Sequence, residues 1–380
     1  MSSSNEDVGG RHRRGGVVER APVYGWARRA VYGGGGTAGR LARGISAPLG
    51  WVWGAAAERR LSAPGSGPRL TAPAISVGNV TLGGGGKTSL VEWIVREGAP
   101  QGATVAVLSR GYGRESGVPL ALAPGRGPGR VADAGDEPML LARAGAWVGV
   151  SGDRFLAARA VEELGARPDL YVLDDGLQHR SVPRALDLVA FTRLDLFAPA
   201  RCVPAGPLRQ RASWVPPHAV WVVAGIDPRD AEWPAGSIGE AYGPWWRELP
   251  GTGADWQAEG LVTLRSWLAS RDESFDPDGP VVVIAGVARP ESAAEFARAG
   301  GLEVAALAAF PDHHTYSARE IARLRRSHPG AAFLMTEKDA VKCKADWFGD
   351  APAGVMRRRL DPADPDLLRR EIAEAIAWRT

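Results

Sequence analysis

The feature that most constrains what this chain can fold into is the run Gly83-Gly84-Gly85-Gly86-Lys87-Thr88. It closely follows an apolar, β-branched stretch, Ala74–Val77, and it opens a segment of helical pattern, Thr88–Arg96. A strand, a glycine loop and a helix in that order let successive backbone N–H groups turn inward on phosphate oxygens, with the positive end of the helix behind them. In such a loop Lys87 reaches the β and γ phosphates and the Thr88 hydroxyl binds Mg²⁺. The G-x-x-x-x-G-K-[ST] pattern breaks at its first position, where Thr81 stands, while Gly-Lys-Thr is intact. The alternative, a flexible glycine linker, does not account for the flanking strand and helix.

The surrounding texture agrees. Ala103–Leu108, Ala146–Val150, Leu170–Leu173 and Leu188–Phe191 are continuous apolar runs, as strands buried on both faces must be. Helical patterns at Glu137–Ala144 and Phe155–Glu163 fall among them. The alternation predicts a doubly wound parallel sheet of P-loop NTPase type over residues 71–225, with Ala219–Ala224 as its last strand. Residues 226–279, rich in Pro, Gly and Trp and without clear period, read as a connector. A second α/β pattern fills residues 280–380: strands Val281–Ala285, Val304–Ala308 and Ala331–Met335, and helices Pro290–Ala299, Ser317–Arg326 and Asp366–Trp378. A length of 380 residues suits two such domains with a cleft between them.

Charge separates the ends of the chain. Residues 1–70 hold eleven arginines against four acids, net +7, so the remaining 310 residues carry net −4 and the basic excess says little about the body. Within that arm Gly44–Ala57 is charge-free and contains Ile45, Leu49, Trp51, Val52 and Trp53. Its 14 residues fall short of the ~20 that a spanning helix needs, and it lies too late for a secretory signal. Arginine flanks around a short Trp-containing patch suit a segment lying in a bilayer interface; a helix packed on the body is the plainer alternative. Two distant cysteines, Cys202 and Cys343, allow neither a disulfide framework nor a cysteine zinc site, which suggests a reducing compartment.

Further residues carry chemistry. Of 46 basic residues only four are lysines, at 87, 338, 342 and 344. A chain that otherwise chooses Arg has kept Lys where a compact ammonium is required. Thr336-Glu337-Lys338-Asp339 resembles the guanine-reading [NT]-K-x-D, but its lysine is third rather than second, so GTP specificity is not supported. Leu170–Leu173 ends in Asp174-Asp175-Gly176, a carboxylate pair at the carboxyl end of a buried strand, where ligands sit in open sheets and where an acid can hold Mg²⁺. Gly135-Asp136-Glu137-Pro138 starts a helix, and Asp136 as a simple N-cap would explain it. In Phe310-Pro311-Asp312-His313-His314-Thr315-Tyr316 two adjacent histidines cannot both face one metal on a regular element. Arg110 and Arg114 in Ser109–Arg114, and Arg209 in Pro204–Arg209, sit on glycine-containing loops, where arginines are either solvated or clamp phosphate.

Taken together these segments resemble one family, the tetraacyldisaccharide 4′-kinases (lipid A 4′-kinases). The resemblance runs through Val77–Thr88 (VGN-x-T-x-GG-x-GKT), Ser109–Arg114, Gly135–Pro138, Asp174–Arg180 (DDGLQHR), Pro204–Arg209, Phe310–Tyr316 and Thr336–Lys342 (TEKDAVK), over about residues 70–345. It departs at Gly85, Ser89, Ala185 and Gln210, none of them a proposed reacting group. The resemblance implies transfer of the ATP γ-phosphoryl group to the 4′-hydroxyl of a tetraacylated glucosamine disaccharide 1-phosphate. It further implies Asp136 as base with His313 as partner, and Thr81, Gly83, Gly84, Gly85, Gly86, Lys87 and Thr88 around ATP. Thr88, Asp174 and Asp175 would hold Mg²⁺, and Arg110, Arg114, Glu137, His179 and Arg209 are candidates for substrate or phosphate contacts. The family tends to carry a basic, membrane-associated N-terminal segment, matching residues 20–60 and implying peripheral or shallow attachment to the cytoplasmic face of the bacterial inner membrane. The expected partners are the lipid substrate and a membrane surface, with no nucleic acid and no obligate protein partner. A P-loop GTPase or metallochaperone, lacking [NT]-K-x-D and a Cys/His cluster here, and a noncatalytic nucleotide-dependent scaffold are the rival readings. The first twenty residues have no family counterpart and are expected to be disordered.

Overall fold

The continuous apolar runs become strands whose alternate side chains are buried on opposite faces. In β1 (Ala74–Gly78), Ile75 and Val77 join one core and Ala74 another, while in β5 (Leu170–Asp174) Leu170 and Val172 oppose Tyr171 and Leu173. The computed structural model describes residues 36–61, 68–82, 86–112, 114–125, 131–192, 201–211, 214–216, 219–224, 261–270, 277, 279–287, 290–362 and 364–378. The tail 1–35 and Gly83–Gly85 therefore lie outside the described residues, as does most of 226–279.

Besides β1 and β5 the strands are β2 (Val105–Ser109), β3 (Leu120–Leu122), β4 (Trp147–Val150), β6 (Leu186–Thr192), β7 (Val220–Ala224), β8 (Leu261–Ser270), β9 (Val281–Ala285), β10 (Val304–Ala309), β11 (Ala332–Thr336) and β12 (Ala353–Pro362). They form one sheet in the order β10-β9-β11-β12-β8-β7-β6-β1-β5-β2-β4-β3. Pairing is parallel except at β3/β4 and β8/β12. The helices are α1 (Gly36–Leu61), α2 (Lys87–Trp93), α3 (Val131–Ala134), α4 (Asp136–Arg143), α5 (Arg154–Glu163), α6 (Pro290–Ala299), α7 (Ala318–Ser327), α8 (Glu337–Ala340) and α9 (Pro365–Ala377). This is the doubly wound α/β architecture that the sequence predicts, with a smaller α/β half appended.

The junction of the halves explains the cleft. Along β12, Phe333 to Thr336 of β11 pair with Ala353 to Met356, and the next residue, Arg357, pairs with Ser270 at the end of β8. Because β11 and β8 both end at this point, the two half-sheets meet carboxyl end to carboxyl end. Loops leaving those ends converge, and in open α/β sheets that edge is where ligands bind.

Two elements differ from expectation. The stretch 226–279, read as a connector, contains β8, which joins the halves by pairing with β7 on one side and β12 on the other. Helix α9 was expected within the second unit, yet Leu368, Ile372 and Ala375 are buried with Ile75, Val77 and Leu188 in the first core. An apolar helical stripe records that a helix is covered and carries no label for which sheet covers it.

Helix α1 docks on the loop 201–211. A Cβ at Gly50 would stand 2.7 Å from the Cys202 carbonyl oxygen, so glycine is what lets helix and loop touch there. Trp53 Nε1 donates to the Arg209 carbonyl at 3.0 Å, and Arg211 pairs with Glu58 at 3.0 Å. Leu41, Ile45, Leu49, Trp51, Val52 and Trp53 remain half or more exposed. The packed-helix and interface readings are thus compatible, since one side of α1 docks and the other is bare. Among the described residues no helix is long and apolar enough to cross a membrane.

Candidate active site

Strand β1 hands the chain to α2 through the glycine loop. Gly86 is the N-cap of α2 with φ +82°, a left-handed conformation that favours glycine. The entry to the loop is pinned from the 201–211 segment: Leu82 N donates to the Pro207 carbonyl and Arg209 N to the Val80 carbonyl, both at 2.7 Å, while Thr81 bridges Leu208. Lys87 Nζ donates to Asn79 Oδ1 at 3.1 Å and lies 3.4 Å from Asp175 Oδ1. Gln178 Nε2 donates to the Asn79 carbonyl at 2.9 Å and to Gln210 Oε1 at 3.0 Å. The VGN, DDGLQ and PAGPLR segments are thereby interlocked at the entry to the glycine-rich segment.

The acidic pair at the end of β5 divides its duties. Asp175, held at φ +53°, takes both a bidentate bond from Arg209 Nη1, at 2.9 and 2.7 Å, and the Lys87 charge. Burial pushes its carboxyl up, and Lys87 and Arg209 outweigh that and hold it below the usual range. Asp174 is buried and accepts from Ser109 Oγ at 3.2 Å. Burial, with the neighbouring charges of Glu137 and Asp175, raises its carboxyl to about 7. Lys87 and Lys338 offset that rise only in part.

The Gly-Asp-Glu-Pro segment starts α4. Gly135 is the N-cap, at φ +95° and ψ 161°, so Asp136 is the first helical residue and not the cap that its position suggested. The Asp136 side chain, 5% exposed, instead turns to the second half, where His313 Nδ1 lies 3.0 Å from Oδ2 and 3.1 Å from Oδ1. Burial raises the Asp136 carboxyl, but the His313 bond and charge, with Lys338 and Lys342, hold it at about 2. The hydrogen bond to Asp136 correspondingly raises His313. His313 has φ +59°, its N–H donates to the Gly286 carbonyl at 3.2 Å, and its ring lies 4.9 Å from that of Tyr112. His314 points elsewhere, to Glu320 at 3.0 Å, so the two histidines share no ligand, as their adjacency requires.

Glu137 links the halves a second time. Its Oε1 accepts from Thr88 Oγ1 at 3.1 Å and from Lys338 Nζ on α8. Burial raises Glu137, and Lys338 more than offsets it. Lys342 Nζ stands 3.5 Å from Asp136 Oδ2. Three of the four lysines in the chain therefore face this cleft, and Lys344 is exposed. Lys338 and Lys342 are absent from the sequence-derived site residues, although the scarcity of lysine was the signal that could have named them.

The remaining candidates are less central. Arg114 is spent on the carbonyls of Val118, Val150 and Gly117, at 2.8 to 3.1 Å, and holds the loop rather than facing the cleft. Arg110 is exposed at the end of β2. His179 bonds Ser181 Oγ at 2.9 Å, and burial beside Arg154 and Arg184 lowers its basicity. Arg209 serves Asp175 as described.

The family model for tetraacyldisaccharide-1-P 4′-kinase matches residues 43–376. The chain belongs to the tetraacyldisaccharide 4′-kinase family. Named relatives include the tetraacyldisaccharide 4′-kinases of Methylorubrum extorquens, 36% identical over 337 residues and covering 88% of this chain and 94% of that one. That of Maricaulis maris is 32% identical over 354 residues, covering 90% and 94%. A crystal structure of LpxK from Aquifex aeolicus in complex with ATP shares the fold, with TM-score 0.66 and 22% identity over 88% of this chain and 99% of that one. The family match spans the segments that meet at the cleft, from Val77 to Lys342.

Proposed function

We propose that the chain transfers the γ-phosphoryl group of ATP to the 4′-hydroxyl of a tetraacylated glucosamine disaccharide 1-phosphate. The observation that carries this reading is the pairing of Asp136 with His313 across the cleft, beside the contact of Thr88 with Glu137. A sugar hydroxyl is a poor nucleophile at neutral pH and needs a base at hydrogen-bond range. Asp136, kept ionised by His313, takes the proton as the 4′-oxygen bonds to the γ-phosphorus and the bond to the β-phosphate oxygen breaks, releasing ADP. Because the second half supplies His313, the base is held and aimed beside the glycine loop only when the halves are together, which supplies the orientation that phosphoryl transfer mostly requires.

The residues fit a magnesium ion. Asp174 is crowded by the carboxylates of Glu137 and Asp175, which Lys87 and Lys338 offset only in part, and Thr88 offers a hydroxyl beside them. Among the described residues no three His, Cys, Asp or Glu side chains form a closed metal site. Mg²⁺ with a nucleotide needs only one or two carboxylates, the rest of its shell being phosphate and water. Thr88 and Asp174 would hold it, with Asp175 positioned behind through Lys87 and Arg209; bound there, the ion would neutralise charge on the terminal phosphates. The bare side of α1, flanked by Arg40 and Arg43, supports attachment to the cytoplasmic face of the inner membrane, where an acylated substrate resides.

The test is mass spectrometry of products after incubation with Mg²⁺, ATP and tetraacyl disaccharide 1-phosphate. One added phosphate at the 4′ position is expected. ATP hydrolysis with the lipid unchanged would reject the reading, and a preference for GTP would favour the GTPase alternative.

A further inference from the structure

Lys342 occupies a position that the reaction as described does not use. Its side chain is 6% exposed, and Nζ is buried with no hydrogen-bond partner. The ammonium lies between two carboxylates, 3.5 Å from Asp136 Oδ2 and 3.4 Å from Asp339 Oδ1, and 5.7 Å from the centre of the Tyr316 ring. Burying an ammonium without hydrogen bonds is unfavourable unless nearby negative charge offsets it. Here two acids do so, and one of them is immobile. Asp339 is fully buried and accepts from Gly286 N at 3.1 Å, Tyr316 Oη at 2.8 Å and Thr336 Oγ1. Tyr316 and Gly286 come from the β10 and β9 loops, and Thr336 and Asp339 from the end of β11 and from α8, so Asp339 is fixed by three segments of the second half.

Resting on the reading of Asp136 as base, we propose that Lys342 is its positioning residue: anchored by Asp339, it presents a fixed positive charge to Asp136 Oδ2 and keeps that carboxylate ionised and aimed. His313 holds the same carboxylate from the β10 loop, and Lys338 acts on it from α8. Glu137 adjoins it on α4, and Asp312 lies 3.9 Å behind His313. Among these Lys342 differs in having no hydrogen bond, and its two nearest carboxylates are those of Asp136 and Asp339. The arrangement accounts for the lysine that closes Thr336–Lys342 and for the tyrosine that closes Phe310–Tyr316.

The test is the pH dependence of kcat at saturating Mg-ATP and lipid disaccharide 1-phosphate, from about pH 5 to about pH 9. Lys342→Met and Lys342→Gln remove the charge, so the proton returns to Asp136 at higher pH. Both should move the acid limb of kcat to higher pH, so that the ratio of variant to parent falls progressively as pH drops toward about pH 5 and levels off toward about pH 9, with ATP affinity within about threefold of the parent. Lys342→Arg keeps the charge and should leave the acid limb in place. Lys342→Gln retains a donor to both carboxylates and decides the matter if the Met variant fails to fold. An unchanged profile, or a loss that is uniform across pH in Lys342→Gln, would overturn the proposal and leave Lys342 as packing. Asp136→Asn with full activity would instead remove the reading beneath it, so the two failures are distinguishable.

Discussion

His313 Nδ1 stands 3.0 Å from Asp136 Oδ2 at a sequence separation of 177, each residue delivered by a different half of the sheet. The bond is the largest cause of the raised basicity of His313 and, next to the opposing effect of burial, the largest influence on the lowered carboxyl of Asp136, so the two are expected to work as a unit. Asp136→Asn is expected to lower kcat by about two orders of magnitude or more while ATP affinity stays within about threefold. His313→Ala should lose a similar amount, and the double variant Asp136→Ala with His313→Ala far less than the sum, because one unit cannot be broken twice. Additive losses would show that the two act separately.

The same pair sets a stability window. The folded-state value of Asp136 lies below its ordinary 3.8, so its contribution is present above that pH and is lost as pH falls toward 2. His313 is raised above 6.5, so its contribution is present below that and is lost as pH rises through the raised value. The melting temperature of Asp136→Asn should therefore fall furthest below the parent at about pH 5 to 6, and the gap should narrow on either side. A gap independent of pH would mean that the contact is packing rather than charge.

Lys87 offers one compact charge within reach of Asn79 and Asp175 at the start of α2. Lys87→Ala should lose turnover by orders of magnitude with the fold retained, since the β and γ phosphates lose their counter-charge. Circular dichroism should superimpose on that of the parent, and near-normal phosphoryl transfer by this variant would remove the phosphate-loop assignment.

Asp174 gives the opposite sign to Asp136. Its value is raised to about 7, so it favours the folded state below 3.8 and that contribution is lost as pH rises through about 7. Without magnesium, Asp174→Asn should melt higher than the parent at about pH 8 and little differently at about pH 5. In the parent, added Mg²⁺ should raise the melting temperature more at the higher pH, because binding requires the ionised acid. Differential scanning fluorimetry with and without Mg²⁺ checks both, and an equal Mg²⁺ shift in Asp174→Asn would take that residue out of the metal site.

What the sequence made legible depended on how local the signal was. Strands such as Val281–Ala285 and helices such as Pro290–Ala299 need only their own residues to declare themselves. Ser317 even completes a capping box with Glu320 at the helix start expected there. Strand β12 was invisible because Arg357, Arg358, Arg359 and Asp361 lie within it, and apolar runs were the signal sought. Asp136 read as a cap because Gly-Asp-Glu-Pro is a good helix start, and only the fold shows that Gly135 does the capping while the carboxylate leaves for His313. Lys338 and Lys342 were singled out by scarcity, yet their partners Glu137 and Asp136 are about two hundred positions away. No local pattern can register a contact of that kind.

The last prediction concerns the bare side of α1. Leu41, Ile45, Leu49 and Trp51 are each 62–73% exposed, and the docking of the helix runs instead through Gly50, Gly54 and Trp53. Deleting the helix would be a poor test, because Trp53 caps the carbonyl of Arg209, whose guanidinium holds Asp175 beside Lys87; a truncation would reach the nucleotide loop as well as the membrane. Polar substitution of the outward residues is cleaner. Burying a large apolar side chain stabilises by about 1.5–3 kcal/mol, against about 1 kcal/mol for each arginine near an anionic surface. Four such side chains outweigh Arg40 and Arg43, so the apolar term dominates. Vesicles containing anionic lipid should sediment the parent protein, salt should release only part of it, and Leu41→Ser with Ile45→Ser and Leu49→Ser should release most of it at any salt. ATP affinity should be unchanged in that triple variant. Equal sedimentation of parent and variant would mean that α1 is not the membrane contact, and complete release of the parent by salt would mean that the arginines, not the apolar side, hold it there.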